Sequence, residues 1–492
     1  MKGLLRSKLS EKLIPQKTVP AFASDVLKLV GGTAFAQALS VIASPIITRL
    51  YSPEAFGVVS LVLAITGIIS VIACFRYELA IMLPKEDGEA ANLLGLSLLI
   101  AVIISALLIP LSWVGRSSLL RLLNAPELAP YILLIPLAVF ASGVFIALNY
   151  WNSRTRLFGR LSVARINASI STTGAQIVAG LAGYPTGGSL IGANILGSAV
   201  STLILGGQIW RDDRKIFMEY VCLDGMQAGL RRYKKFLLFD TWAALLNSLS
   251  AQLPILLLSS FFTSTVIGYY SLGYRVLTLP MGLIGTSLGQ VFFQRAAKAR
   301  FEGNLGELLE KLVPHLVVVS VFPFLILVLF AEELFKIIFG VQWAEAGIYA
   351  EILAPWVFIA FVVSPISTLF SVLEKQRISL LENIILVISR AGSLIIGGFL
   401  GNVFIALILF SFIGSFINII MFFWLMDRSG ASVRRLFVSV LSSLAISFPL
   451  FLAIILTKLL ITRPEYIIVI CSITMVIYYI IISRDIIKGV FA

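Results

Sequence analysis

Long apolar runs separated by short polar breaks fill almost the whole chain, and this pattern limits the fold before any single residue is weighed. A hydrocarbon core about 30 Å thick takes roughly 20 helical residues to cross, and only helices or closed barrels satisfy their backbone inside it. The runs predict fourteen membrane-spanning helices, over residues 26–48, 57–83, 92–114, 131–151, 163–183, 189–210, 236–262, 266–293, 312–331, 349–373, 378–400, 403–426, 437–461 and 466–483. With 59% hydrophobic and only 13% charged residues among 492, the chain is too apolar for a soluble fold of this size. The expectation is an all-α integral membrane protein.

Charge sets the orientation. The net +13 is carried by no basic domain or recognition motif, so nucleic acid is not an expected partner. Instead the connections alternate: Arg154, Arg156, Arg160 and Arg165 lie on one side, with the basic stretch 211–235, Arg295, Lys298 and Arg300, Lys375 and Arg377, and Arg428, Arg434 and Arg435. The other side has little beyond Arg49, Arg116, Arg121, Lys336, Lys458 and Arg463. The positive-inside rule then puts both termini in the cytoplasm, as an even number of spans requires. Trp113, Trp151, Trp210, Trp242 and Trp424 fall near span ends, where an indole suits the interface. Cys74, Cys222 and Cys471 are scattered, and His315 is the sole histidine, so no metal site or cofactor is expected. Residues 1–24 are basic with a leucine stripe and no cleavage site, which predicts a retained amphipathic helix on an anionic leaflet.

A weak internal repeat is present. Gly57-Val58-Val59-Ser60-Leu61 opens the second span and Gly268-Tyr269-Tyr270-Ser271-Leu272 the eighth, while Ile135-Pro136 and Ala354-Pro355 repeat at a similar offset. Two six-span halves of the same orientation would enclose a central cavity. The expected organisation is an N-terminal segment 1–24, an N-lobe 25–210, a cytoplasmic linker 211–235, a C-lobe 236–426, and two further spans with a cytoplasmic C-terminus in 427–492.

No soluble-enzyme motif is present, and the informative residues are charges at depth. As a continuous helix the second span would be roughly 39 Å long and would place Arg76 about 10 Å from its end. Residues two apart on a helix face different ways, so Arg76 would not neutralise Glu78. Each then needs water, a partner on another helix or an anionic ligand, although Arg76 could also snorkel to the headgroups. Arg275 and Arg390 lie deep in the eighth and eleventh spans. Binding a carboxylate or freed carbonyls is one role for them; holding an anion in the cavity is the other, which the planar guanidinium suits. Pro280, Gly282, Gly285 and Gly289 would permit a bend after Arg275, or simply close packing. Carboxylates at depth are scarce, which argues against a site built for cations.

Three features together resemble bacterial polysaccharide-repeat flippases of the O-antigen transporter type, within the multidrug/oligosaccharidyl-lipid/polysaccharide exporter superfamily. They are Thr48-Arg49-Leu50-Tyr51-Ser52-Pro53-Glu54-Ala55-Phe56-Gly57, Arg76-Tyr77-Glu78-Leu79-Ala80-Ile81, and the two-lobed plan. The resemblance implies a V-shaped pair of lobes with alternating access, lined mainly by spans one, two, seven and eight. It implies an undecaprenyl-diphosphate-linked oligosaccharide moved from the cytoplasmic to the periplasmic leaflet of the bacterial inner membrane, for O-antigen or another surface polysaccharide. Membrane lipids and other polysaccharide assembly proteins are the remaining expected partners. Candidate cavity residues are Arg76, Glu78, Arg275, Arg49 and Arg390, the last matching no motif of the family. In lipid II flippases the last two spans help form a groove for the prenyl tail, a role 437–483 would share by analogy. The rival readings are a cation-coupled drug exporter, which would want carboxylates in the cavity, a membrane polymerase or ligase, which would want a large outer loop, and a scaffold of an envelope assembly complex.

Overall fold

The computed structural model describes residues 19–282, 286–460 and 464–491, so most of the expected surface helix of residues 1–24, and also Gly285 and Arg463, lie outside it. Every regular element among the described residues is helical. In the N-terminal half these are α1 (Val19–Leu50), α2 (Pro53–Ser70), α3 (Tyr77–Ala80), α4 (Asp87–Leu122), α5 (Leu134–Arg154), α6 (Phe158–Leu181) and α7 (Gly187–Tyr220). The short α8 (Leu223–Arg232) leads to α9 (Thr241–Phe261), α10 (Ser264–Pro280), α11 (Thr286–Glu302), α12 (Leu305–Ile338), α13 (Ala344–Ile366), α14 (Leu369–Val372), α15 (Gln376–Phe399) and α16 (Val403–Arg428). Last come α17 (Val433–Ile446), α18 (Phe448–Leu460) and α19 (Pro464–Phe491).

Eleven helical segments among the described residues are long and apolar enough to cross a membrane. The expected fifth, eighth and thirteenth spans are not among them, each for a local reason. Helix α6 is polar on one face, with Arg165, Ser169, Thr172 and Thr173. The eighth comprises α10 and α11, with residues 283–285 between them outside the described residues. The thirteenth is divided at Ser447, with Pro449 in the first turn of α18, where a missing N–H costs nothing.

The second span is not one helix, which corrects the expected geometry around Arg76. After Ser70 the chain tightens into turns in which each N–H reaches back three residues, from Val71 N to Ile68 O through Ala73 N to Ser70 O. Phe75 and Arg76 then take left-handed backbone angles, φ 48° and 62°. Two non-glycine residues in that region are strained and persist only where surroundings hold them. Arg154 is one such hold: its guanidinium donates to the carbonyls of Ile81 and Pro84 at 3.1 and 2.8 Å and to Asp87 Oδ1 at 2.9 Å, satisfying backbone groups that the broken helix leaves free.

Ser52 caps α2 by accepting from Ala55 N, with Pro53 and Glu54 in the first turn. In the N-terminal half α6 packs between α1 and α7, and α7 also rests on α2 and α5. In the C-terminal half α13 is the centre, against α10, α12 and α16. The final helices lie on the outside of α12, where Phe322 stacks on Tyr478 at 4.4 Å and the Tyr478 hydroxyl donates to Val318 O. The stretch 211–235 is largely helical: α7 continues to Tyr220, and Asn92 fastens α8 by donating to Tyr220 O and accepting from Cys222 N.

The halves meet chiefly where α2 crosses α10. The crossing is possible because both helices present glycine. A Cβ on Gly57 would stand 1.7 Å from Ser264 O, and one on Gly268 would stand 1.9 Å from Pro53 O. These are the glycines that open the two repeat motifs.

Candidate functional site

One end of the bundle is sealed around Thr48. Its carbonyl accepts from Trp343 Nε1 at 2.7 Å and Gln342 Nε2 at 2.9 Å, and Phe56 meets the Trp343 ring edge-on at 4.8 Å. Trp343 and Tyr51 are fully buried there. Arg49 belongs to this seal, its Nη2 donating at 2.8 Å to Ile337 O at the carboxyl end of α12, where a cation meets unsatisfied carbonyls.

Below the seal the halves diverge around a cavity of about 1050 Å³. It is lined by α1, α2, α5, α6, α7, α9 and α10, and half of its lining residues are Ser, Thr, Asn or Gln. Such a lining offers hydroxyls and amides that donate and accept in many directions, which suits a hydrated polyol and not a hydrocarbon. Its only charged lining residues among those described are Arg165 and Arg275; no carboxylate lines it.

The two arginines come from different halves and are anchored on the same helix. Arg275 Nη2 donates to Ser40 Oγ at 2.7 Å, and Arg165 Nη1 donates to Thr33 Oγ1 at 2.9 Å. Ser40 and Thr33 are seven residues apart on α1, so they share a face and are separated by roughly 10 Å along the axis. Neither guanidinium forms an ion pair with a carboxylate among the described residues. A neutral hydroxyl leaves the positive charge uncompensated and the other nitrogens free to bind an anion.

Of the five residues singled out from sequence, Arg275 alone lines this cavity. Arg49 is in the seal. Arg76 turns from the cavity to the start of the C-terminal half, its Nε donating to Asp240 Oδ2 at 2.9 Å, and its Nη1 stands 3.7 Å from Glu78 Oε1. The helical argument that kept Arg76 and Glu78 apart fails because Arg76 is not helical. Its left-handed backbone brings the two side chains to one side. Glu78 is 3% exposed, with Oε2 lacking a hydrogen-bond partner. Arg390 lies on α15 above the rings of Trp356 and Phe410 and lines a separate, smaller cavity. Arg165, at the start of the expected fifth span, was counted with the orienting cytoplasmic cations, yet it is the eighth residue of α6 and lines the cavity.

The Arg76–Asp240 pair bridges the two halves at the end away from the seal. Both side chains are partly exposed, so the pair contributes about 1 kcal/mol or less. Arg76→Ala and Asp240→Ala are each expected to lower transport only a few-fold, and the double variant no further. Equal transport by Arg76→Asp alone and by the charge-swapped pair Arg76→Asp with Asp240→Arg would show that this bridge has no part in the cycle.

Comparison with known proteins extends across this architecture. A family described as polysaccharide biosynthesis protein matches residues 46–348. The lipopolysaccharide biosynthesis protein WzxC of Escherichia coli (strain K12) is 24% identical over 425 residues, covering 84% of this chain and 82% of the relative. A structure of the lipid II flippase MurJ in an inward closed conformation superposes with a TM-score of 0.71 at 15% identity, over 93% of this chain and 99% of that one. An inward-facing multidrug resistance transporter of the MATE family gives 0.64 at 17% identity, over 80% and 94%. At these identities the two structures speak to the fold.

Proposed function

The chain belongs to the polysaccharide biosynthesis protein family, and we propose on that premise that it is a flippase of the multidrug/oligosaccharidyl-lipid/polysaccharide exporter superfamily that moves an undecaprenyl-diphosphate-linked oligosaccharide from the cytoplasmic to the periplasmic leaflet. The observation that carries this reading is the interlobe cavity, half of whose lining residues carry hydroxyls or amides and whose only charges among the described residues are two arginines. A diphosphate leaving the headgroup region needs fixed positive charge in a medium where unpaired charge is costly. Arg275 and Arg165 supply it from opposite halves, and on substrate binding their α1 hydroxyls give way to phosphate oxygens. The sugar occupies the hydroxyl- and amide-lined volume while the prenyl chain stays in the bilayer. We take the sealed end as the periplasmic one, as the positive-inside reading of the loops supports, so that the cavity receives substrate from the cytoplasmic leaflet of a bacterial inner membrane.

The absence of lining carboxylates among the described residues disfavours a cation-coupled drug exporter, whose cargo would seek negative charge. Transfer between leaflets is tested with purified protein in liposomes carrying a fluorescent undecaprenyl-diphosphate oligosaccharide. Quenching from outside should reveal protein-dependent outward movement of the anionic headgroup, faster when the lumen is made negative and slower when it is made positive, by an effect of about 2.3 kcal/mol per charge per 100 mV. No movement under any ion gradient, together with export of cationic dyes, would replace this function with drug export.

A further inference from the structure

A second cavity, of about 280 Å³, lies within the C-terminal half, walled by α13, α15 and α16. It holds two opposite charges that do not meet. Arg390 and Glu382 both line it, and neither forms an ion pair or a side-chain hydrogen bond among the described residues. Arg390 is supported by aromatic faces instead, its guanidinium carbon 4.7 Å from the Trp356 centroid and 5.6 Å from that of Phe410. Glu382 is 8% exposed. Asn418 on α16, 7% exposed, reaches the same cavity with an amide nitrogen that has no acceptor.

A half-buried guanidinium held by aromatic rings alone and a buried carboxylate with no hydrogen bond, facing one cavity, point to an occupant. Glu382 and Arg390 are eight residues apart on α15, about 12 Å along the axis. The arginine stem leans toward the helix N-terminus and shortens that gap without closing it. A simple anion would satisfy Arg390 and Asn418 but leave Glu382 unpaired beside it. A simple cation would do the reverse. A group carrying both charges satisfies all three side chains at once.

We propose that this cavity binds a zwitterion, its acidic oxygens on Arg390 and Asn418 and its ammonium group on Glu382, with the hydroxyls of Ser364, Ser367 and Ser379 around it. Guanidinium fits phosphate oxygens bidentately, and the cavity is embedded in a membrane protein, so the matching chemistry is phosphoethanolamine. The site backs onto the transport cavity: Tyr274, which lines the large cavity, stacks on Trp356 at 6.1 Å, and Arg390 lies over the same indole.

The test uses the full-length protein in nanodiscs of phosphatidylglycerol, into which phosphatidylethanolamine or phosphatidylcholine is titrated, with binding followed by native mass spectrometry and thermal melting. Phosphatidylethanolamine should bind and stabilise beyond the other two, and Arg390→Gln and Glu382→Gln should each weaken it by about tenfold or more, as loss of a buried charge partner does. Arg275→Ala, in the other cavity, should leave it unchanged. Soluble glycerophosphoethanolamine forms a second arm: stabilisation by it shows that the headgroup suffices, and stabilisation by the lipid alone shows that acyl chains contribute. Equal binding of phosphatidylglycerol, or full phosphatidylethanolamine binding by Glu382→Gln, would overturn the proposal, and the glutamate variant decides the matter should Arg390→Gln fail to fold.

Discussion

Arg275→Ala is expected to reduce transport of the proposed diphosphate-linked substrate by about a hundredfold, since removing one partner of a desolvated charge pair costs about 2–5 kcal/mol. The side chain reaches the cavity from α10 and spends one donor on Ser40, a neutral group. Nothing in the described fold relies on its charge, so melting temperature and yield should stay near wild type. Arg275→Lys keeps the charge but loses the fork and should recover roughly tenfold of the loss. Arg165→Ala should also fall well below wild type, because α6 supplies the only other lining cation among the described residues. Substrate affinity measured on the purified variants separates binding from turnover: weaker binding with an unchanged turnover rate at saturation marks a headgroup contact. Wild-type transport by Arg275→Ala would remove the charge-based mechanism.

Much of the fold was legible because a bilayer admits few alternatives. Apolar length alone located most of the helices, and the glycines that open the repeat motifs, Gly57 and Gly268, lie where α2 and α10 cross most closely. What stayed hidden depends on long-range placement. The pairing of Arg76 with Asp240 joins positions 164 residues apart and requires a helix break that the uniformly apolar stretch before it does not announce. Arg165 was obscured by its neighbours Arg154, Arg156 and Arg160, which made it look like one more loop cation. A signal was present nonetheless. Arg165, Ser169, Thr172, Thr173 and Gln176 recur at the spacing of one helical face, and all five line the cavity. A polar stripe on an otherwise apolar span marks the wall of a wet chamber, and here it distinguished a cavity arginine from an orienting one.

Valine at Gly57 or Gly268 is expected to hold the protein away from the sealed state and to cut transport by about ten- to a hundredfold. Neither glycine has a positive φ, so a side chain meets no backbone strain of its own. The conflict is steric and lies with backbone: Ser264 O and Pro53 O stand where the new Cβ atoms would be, and no rotamer change relieves it. Overpacking of this kind costs about 1–3 kcal/mol, borne only while α2 and α10 are in contact. A penalty confined to one state shifts the population toward the other by that amount, which at 3 kcal/mol is roughly a hundredfold. The shift can be read directly with Ser60→Cys, a cavity position on α2, in a Cys222→Ser background, since Cys74 and Cys471 are buried. A membrane-impermeant maleimide added on the periplasmic side should label this cysteine slowly in the parent and quickly in either valine variant. Normal transport with the cysteine still protected would mean that α2 and α10 do not part during the cycle, and the halves would have to open along another seam.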